Sequence, residues 1–376
     1  MESNKRARVI AIYLPQFHPI PENDKWWGKG FTEWTNVGKA KPLFKGHYQP
    51  KVPADLGYYD LRIPEVRKAQ ADMAKEAGIE GFMYYHYWFG NGKTLLERPF
   101  QEVLKSGEPD FPFCLAWANH SWEDKSWVIK NQYQKNRMLI EQLYPGEKDY
   151  RDHFFYLLNA FKDKRYIRID DKPLFYIYNP LHFKDVSLFI AIWQQLAKEN
   201  GLNGIYFIGQ ANHKEDCSKI LNLGLDGAAR IGVSDVEETM GGAKGKFINI
   251  WLSRLKRYLP IKILQTKILS KYNYSDIVNN WTIPDLDSNE QIYPTILPNF
   301  DHSPRSGNIG LIYDNSTPAL FKKLIRKTIN TIEAKKDEHK VIILKSWNEW
   351  GEGNYVEPDL KYGHGYLDAL RDEIFE

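Results

Sequence analysis

Two carboxylates three residues apart, Glu349 and Glu352, stand in the run Trp347-Asn-Glu-Trp-Gly-Glu-Gly353. Two close carboxylates push their pKa values apart, so that one holds a proton near neutral pH while the other stays ionised. Departure of a glycosidic oxygen needs that division of labour. A direct-nucleophile retaining pair sits ~5 Å apart and an inverting pair ~6.5 to 9.5 Å, and sequence spacing leaves the choice open. The same run carries Trp347 and Trp350, whose flat apolar faces suit a pyranose ring. Its Asn348 can serve hydroxyls or hold a carboxylate. The bland alternative is a helix N-terminus after a strand, with Glu352 or Glu357 merely favourable near its dipole.

The acids follow Val341 to Ser346, a short apolar run that reads as a buried strand, so a strand delivers them into a loop. Seven earlier runs have the same character: Arg8 to Leu14, Ile79 to Phe89, Phe111 to Trp117, Lys172 to Tyr178, Gly204 to Gln210, Gly224 to Arg230 and Ile292 to Leu297. Between them, helical spacing predicts helices over Arg62 to Ala77, Leu95 to Lys105, Tyr150 to Asp163, Val186 to Glu199, Cys217 to Leu223 and Ala319 to Lys336. Gly365 to Phe375 closes the chain as a last helix. Eight strands alternating with helices predict a parallel sheet closed into a (β/α)8 barrel, one catalytic domain over 1–376 with a helical insertion around 233–290. Nothing helical is expected between Pro15 and about Leu61, a loop far beyond the usual length and therefore of functional interest. A Gly-rich phosphate turn after the first strand, which an open dinucleotide-binding sheet would want, is absent.

In such barrels the reaction centre is built at the C-terminal ends of the strands, which collects His18, His86, Asn119, Tyr178, Gln210, Arg230, Asp301, Glu349 and Glu352. For His18 and His86 no partner stands at a metal-ligand interval, so substrate hydrogen bonding is the expected role and no metal or cofactor is called for. Trp26, Trp27, Trp34, Trp88, Trp117, Trp122 and Trp127 divide between core and sugar subsites. Asp301 and Arg305 form either a loop salt bridge or part of the site. Arg230 either serves an acidic sugar or neutralises an Asp. Asp285-Leu-Asp287 is a weak candidate for the metal-holding element of a nucleotide-sugar transferase, since it does not follow a strand.

The 376 residues carry 51 basic and 48 acidic side chains in mixed order, a net charge of +3 that makes no electrostatic case for nucleic acid. The 12 Trp, 23 Tyr and 19 Phe exceed what an aliphatic core needs and favour a carbohydrate partner. Cys114 and Cys217 make no disulfide framework. Neither a signal peptide nor a membrane span is legible, and a cytoplasmic location is the expectation. The basic amphipathic piece from Phe247 to Lys271 reads as a solvated helix before a membrane-surface one.

Four segments, Ile12 to Asp24, Gly30-Phe-Thr-Glu-Trp34, Gly81-Phe-Met-Tyr-Tyr-His86 and Asn299-Phe-Asp-His-Ser-Pro-Arg305, resemble the WbsX-type proteins, which are labelled glycosyltransferases of O-antigen clusters. The resemblance covers nearly the whole chain. The Trp347 to Gly353 element is similar to the catalytic segment of glycoside hydrolase family 99, endo-α-mannosidases and endo-α-mannanases with a (β/α)8 fold. That similarity implies a metal-independent, retaining hydrolase working through a 1,2-anhydro sugar, with Glu349 deprotonating the 2-OH and Glu352 protonating the leaving oxygen. A transferase and a non-catalytic carbohydrate-binding barrel remain the alternatives.

Overall fold

The eight predicted strands are present and parallel. They are β1 (Arg8–Tyr13), β2 (Gly81–Trp88), β3 (Phe113–Trp117), β4 (Lys172–Ile177), β5 (Tyr206–Ala211), β6 (Gly227–Arg230), β7 (Ile292–Ile296) and β8 (Val341–Leu344). Each pairs with the next, and β1 pairs with both β2 and β8, so the sheet closes into a (β/α)8 barrel. This computed structural model describes residues 5–124, 137–236, 238–239, 270–307 and 310–375. Trp127, nearly all of the Phe247 to Lys271 piece and the middle of the expected 233–290 insertion lie outside the described residues.

The strands are continuous apolar runs because both of their faces are covered, and all eight residues of β2 are buried. Between strands lie α3 (Pro64–Glu76), α4 (Arg98–Ser106), α5 (Glu147–Phe161), α6 (Val186–Glu199), α7 (Lys214–Asn222) and α9 (Pro318–Ile332), with α10 (Gly365–Ile374) last. α6 shows why they form: Val186, Phe189, Ile190, Trp193, Leu196 and Ala197 recur at helical spacing and are buried against the sheet. Pro64, Pro99 and Pro318 stand in first turns, where a missing N–H costs nothing.

The loop after β1 departs from expectation, because it contains α1 (Pro21–Trp27) and α2 (Glu33–Lys39). Both have seven residues, too few for a hydrophobic period to emerge, and packing on the barrel mouth supplies what propensity alone would not. In the described part of the insertion, Ser270–Asn273 is a strand paired with Leu311–Asp314, which pairs in turn with Phe300–Asp301. Helix α8 (Tyr274–Asn280) follows that strand. The insertion after β6 thus meets the loop after β7, whose Arg305 in turn reaches Glu33 of the loop after β1 and Glu352 of the loop after β8.

Candidate active site

At the C-terminal end of β8, Lys345 sits between the two acids, its Nζ 3.3 Å from Glu349 Oε2 and 3.7 Å from Glu352 Oε2. Those two oxygens therefore lie no more than about 7 Å apart, the sum of the two distances. Arg305, from the loop after β7, donates from Nη1 to Glu352 Oε1 at 2.6 Å and from Nε to Glu33 Oε2 at 3.1 Å. Glu33 opens α2, so the first loop contributes an acid to the mouth. His302 Nε2 stands 3.8 Å from Glu352 Oε1. Tyr85, Tyr87 and Tyr178 surround the cluster closely enough for Glu349 to raise the pKa of each phenol beyond what burial alone does, with Lys345 opposing the rise at Tyr178.

Electrostatics follow from burial and from these neighbours. Burial, then Glu352, push the Glu349 carboxyl above its usual range, against the opposing pull of Lys345 and Arg305. Burial disfavours the charge on Lys345 and on Arg305. The carboxylates outweigh it and hold both cations above their usual range: Glu349 and Glu352 at Lys345, and Glu33, Glu352 and Glu349 at Arg305.

The glycines of the Trp347 to Gly353 run are explained by what lies on them. A Cβ at Gly351 would stand 2.0 Å from Glu33 Oε2, so the Glu33–Arg305 contact requires glycine there. Gly353 has φ +57°, and a Cβ on it would reach 2.6 Å from Lys51 Nζ and 2.8 Å from Asp301 Cβ. The Glu349 N–H donates to Ser346 Oγ at 3.1 Å, and that hydroxyl donates to the Asn354 carbonyl at 2.8 Å.

Of the residues expected at the mouth, Glu349, Glu352, Arg305 and Tyr178 come together. Gln210 lies beside them, accepting from Tyr176 Oη at 3.1 Å. Trp26 meets Trp122 edge-on at 6.0 Å, and Trp122 meets Tyr87 at 5.1 Å, an aromatic wall leading to the acids.

The others serve elsewhere. Trp347 and Trp350 are 0% exposed and offer no face to a sugar; Trp350 stacks on Tyr355 with ring centroids 3.7 Å apart. Asn348 is equally closed and clasps the chain leaving β1, accepting from Leu14 N–H at 2.8 Å and donating to its carbonyl. His86, Trp88 and Trp117 point at the helix layer: His86 Nε2 is 2.8 Å from His153 Nε2, Trp88 stacks on His153 at 4.6 Å, and Trp117 packs on Phe189. Side chains alternate across a strand, so the inward residues at the end of β2 are Tyr85 and Tyr87. Burial lowers the His86 pKa to about 3, which keeps its imidazole neutral.

Asn119 ties the ends of β3 and β4, accepting from Asn179 N–H at 2.7 Å. Arg230 is 0% exposed and donates to both carboxylate oxygens of Asp287 at 3.0 and 2.8 Å, so it neutralises aspartate and meets no substrate. Asp301 is held by His47 at 2.8 Å and Gln49 at 2.6 Å. Burial opposes its charge, but His47, Lys51, Ser303 and Gln49 outweigh that and hold it below the usual range. His18 is buried beside Asp60 and Arg62, Trp34 donates to the Tyr59 carbonyl at 2.7 Å, and Trp27 lies exposed against Phe31. Glu33, Lys345, Tyr85, Tyr87 and His302 were not foreseen as site residues. Glu33 was visible within the Gly30 to Trp34 motif, and Lys345 as a lone charge closing an apolar strand.

The sequence pattern of the family described as Glycosyltransferase WbsX matches residues 9–370. The chain belongs to the WbsX family. The uncharacterized protein WxcX of Xanthomonas campestris pv. campestris is 32% identical over 369 residues, which is 98% of this chain and 50% of that protein. The chain thus spans about half the length of the curated relatives it matches. Among solved structures, a glycoside hydrolase-like protein superposes with TM-score 0.59 at 16% identity, covering 100% of this chain and 95% of the other. The GH99 endo-alpha-mannosidase from Bacteroides thetaiotaomicron does so with TM-score 0.59 at 14% identity, covering 99% and 97%. At such identities the likeness is one of fold. Among the described residues, no helix of this WbsX-family chain is long and apolar enough to cross a membrane.

Proposed function

We propose that the chain is a retaining glycosidase acting on an oligosaccharide or polysaccharide, with Glu349 and Glu352 sharing the acid and base work at the barrel mouth and the substrate 2-OH as internal nucleophile. The observation that carries this reading is the pair of carboxylates bridged by Lys345, Glu349 buried and Glu352 half-buried, with an aromatic wall running up to it. Two acids under one cation suit proton transfer on both sides of a bond, whereas a binding barrel has no use for them. Incubation with bacterial surface polysaccharides or α-linked oligosaccharides, followed by chromatography of the products, tests it. New reducing ends whose appearance needs both glutamates support the reading, and their absence across such a panel rejects it.

The family's description favours a second reading, transfer of a sugar from a nucleotide donor. Asp287 is fully buried under Arg230, which leaves Asp285-Leu-Asp287 unfit to hold a donor's metal ion. Cleavage or transfer that requires added uridine or guanosine diphosphate would establish this second reading in place of the first.

A further inference from the structure

A second pocket lies beside Gly353, and none of Glu33, Arg305, Lys345, Glu349 and Glu352 lines it. The first loop, the loop after β7 and the chain leading into α10 enclose about 500 Å³ there, open mouth included, which is within the range of small-molecule sites. Gly46, Asn315 and Lys361 around it are exposed, whereas Lys51 and Asn299 are only 7% and 2% exposed. Lys51 Nζ donates to the Gly353 carbonyl at 3.1 Å, its one hydrogen bond among the described residues, so two of its three N–H groups are open. Burial lowers its pKa, against the pull of Asp301 and Asp359. Asn299 donates from Nδ2 to the Tyr355 carbonyl at 3.3 Å, while its buried Oδ1 has no partner among the described residues. Unmet polar groups are costly to bury, and a donor and an acceptor left open in one pocket point to a ligand that answers both.

The charged side chains lining the pocket are of both signs: Lys51 and Lys361 against Asp301, Asp314 and Asp359, with His47 2.8 Å from Asp301 and Lys271 3.1 Å from Asp314. An anion would face three carboxylates there, and a cation would face two ammonium groups. A hydroxyl brings no charge and both donates and accepts. Tyr48 and Tyr362, half-buried, also line the pocket, and their rings, 4.7 and 4.8 Å from the exposed Lys361 ammonium, offer apolar faces to a sugar. We propose that the pocket is a second sugar site taking one neutral pyranose ring, with Lys51 donating to ring hydroxyls and Asn299 Oδ1 accepting from one. The ring belongs either to the chain bound at the acids or to a free sugar. The site borders the acid pair's own loops: Lys51 holds the carbonyl of the residue after Glu352, and Asp301, foreseen as a substrate contact, precedes His302. Binding here is read without turnover, so the proposal stands or falls apart from the glycosidase reading.

Glucose, galactose, mannose, rhamnose and N-acetylglucosamine are titrated one at a time into the full chain, with saturation-transfer NMR reading the affinity and a crystal soaked in the tightest binder locating it. At least one should bind, with density against Lys51 and Asn299. Lys51→Met should weaken it by about 10-fold or more, the loss expected for a hydrogen bond from a charged donor. Ser316→Phe, which fills the pocket from a half-exposed position, should abolish binding, and Glu349→Gln should leave it unchanged. Binding that is lost in Glu349→Gln and kept in Ser316→Phe would place the sugar at the acids and overturn the proposal. So would no binding by any of these sugars, or a pocket that takes sulfate or glucuronate in preference to all of them. A linear oligosaccharide separates the two sources of the ring. If the ring is part of the bound chain, oligosaccharide affinity falls in Lys51→Met as far as that of the monosaccharide; if it is a free sugar, oligosaccharide affinity stays at the wild-type value.

Discussion

The loop after β8 carries two kinds of acid within nine residues, and they are held in opposite ways. Glu349 and Glu352 meet cations, Lys345 and Arg305. Glu357, 2% exposed, accepts only from neutral donors in its described hydrogen bonds: Trp350 Nε1 at 2.6 Å, Gln70 Nε2 at 2.6 Å and Tyr59 Oη at 2.8 Å. Gln70 belongs to α3 and Tyr59 to the first loop, so Glu357 fastens three parts of the chain behind the Trp347 to Gly353 run. Burial pushes its pKa up to about 7 despite Trp350, Gln70, Tyr59 and Trp347. Cations hold the first two carboxylates at the mouth, whereas a cage of neutral donors makes the third a brace between elements.

The sharpest way to break this contrast is to neutralise each acid in turn. Glu349→Gln and Glu352→Gln should each reduce turnover by roughly 10²- to 10⁴-fold, the range for losing a positioned acid or base. The urea midpoint should stay near wild type in Glu349→Gln, whose contact with Lys345 is local, and fall modestly in Glu352→Gln, which weakens the Arg305 bridge to the loop after β7. A variant that unfolds, or one that keeps activity within a few-fold, would move the pair to the structural side of the comparison.

Glu357 should show its effect in stability and in pH. Its folded pKa lies above the unfolded value, so between the two the native state binds the extra proton and stability falls as pH rises, levelling off above the folded pKa. Wild type should therefore lose up to about 3 kcal/mol of unfolding free energy between pH 4.5 and 8 from this group. Glu357→Gln should flatten that slope. It should also cost about 1 to 3 kcal/mol at pH 5, since the amide brings two N–H groups among these donors where the protonated acid brings one O–H. Urea titrations of both proteins at several pH values measure this, and parallel slopes would refute the neutral-cage account.

The architecture was legible because it repeats. Eight apolar runs alternating with amphipathic segments leave few closed arrangements, and each strand lies where the pattern puts it. Which side of a strand faces the mouth was not legible, for the physical reason that barrel strands are buried on both faces. In Tyr84-Tyr-His-Tyr-Trp88 every residue is buried and apolar or aromatic, so nothing in the sequence distinguishes the inward Tyr85 and Tyr87 from the outward His86 and Trp88. The Trp347 to Gly353 run misleads in a similar way. Its tryptophans and Asn348 look like sugar contacts, yet they anchor the loop so that Glu349 and Glu352 project from it. Arg230 and Arg305 both end up paired with acids. Only the fold shows that one pair is sealed behind the insertion while the other lies beside Glu349.

Gly351 tests the link between the first loop and the acids. Gly351→Ala places a methyl 2.0 Å from Glu33 Oε2 and must displace Glu33 from Arg305. Overpacking at a closed site costs about 1 to 3 kcal/mol. Activity should fall by at least about 10-fold, because freeing Arg305 from Glu33 alters its hold on Glu352. Glu33→Gln, which keeps the shape and removes the charge, should lose less. Equal activity in Gly351→Ala and wild type would show that the first loop does not tune the pair.

The smallest expected effect separates the tryptophans of the wall from those of the core. Trp26 touches Trp122, which touches Tyr87 within reach of the charge on Glu349, whereas Trp350 is sealed against Tyr355. If the wall is the sugar platform, Trp26→Ala removes one ring contact worth about 0.5 to 1.5 kcal/mol, a weakening of several-fold in oligosaccharide affinity with little change in stability. Trp350→Phe should do the reverse, since it vacates core volume and removes a donor from Glu357 without touching ligand. Both are read in a Glu352→Gln background, by oligosaccharide titration followed through tryptophan fluorescence and by urea unfolding. Unchanged affinity in Trp26→Ala would reject the wall as the sugar platform and return Trp26 to the packing of the first loop, whose α1 carries it to the rim.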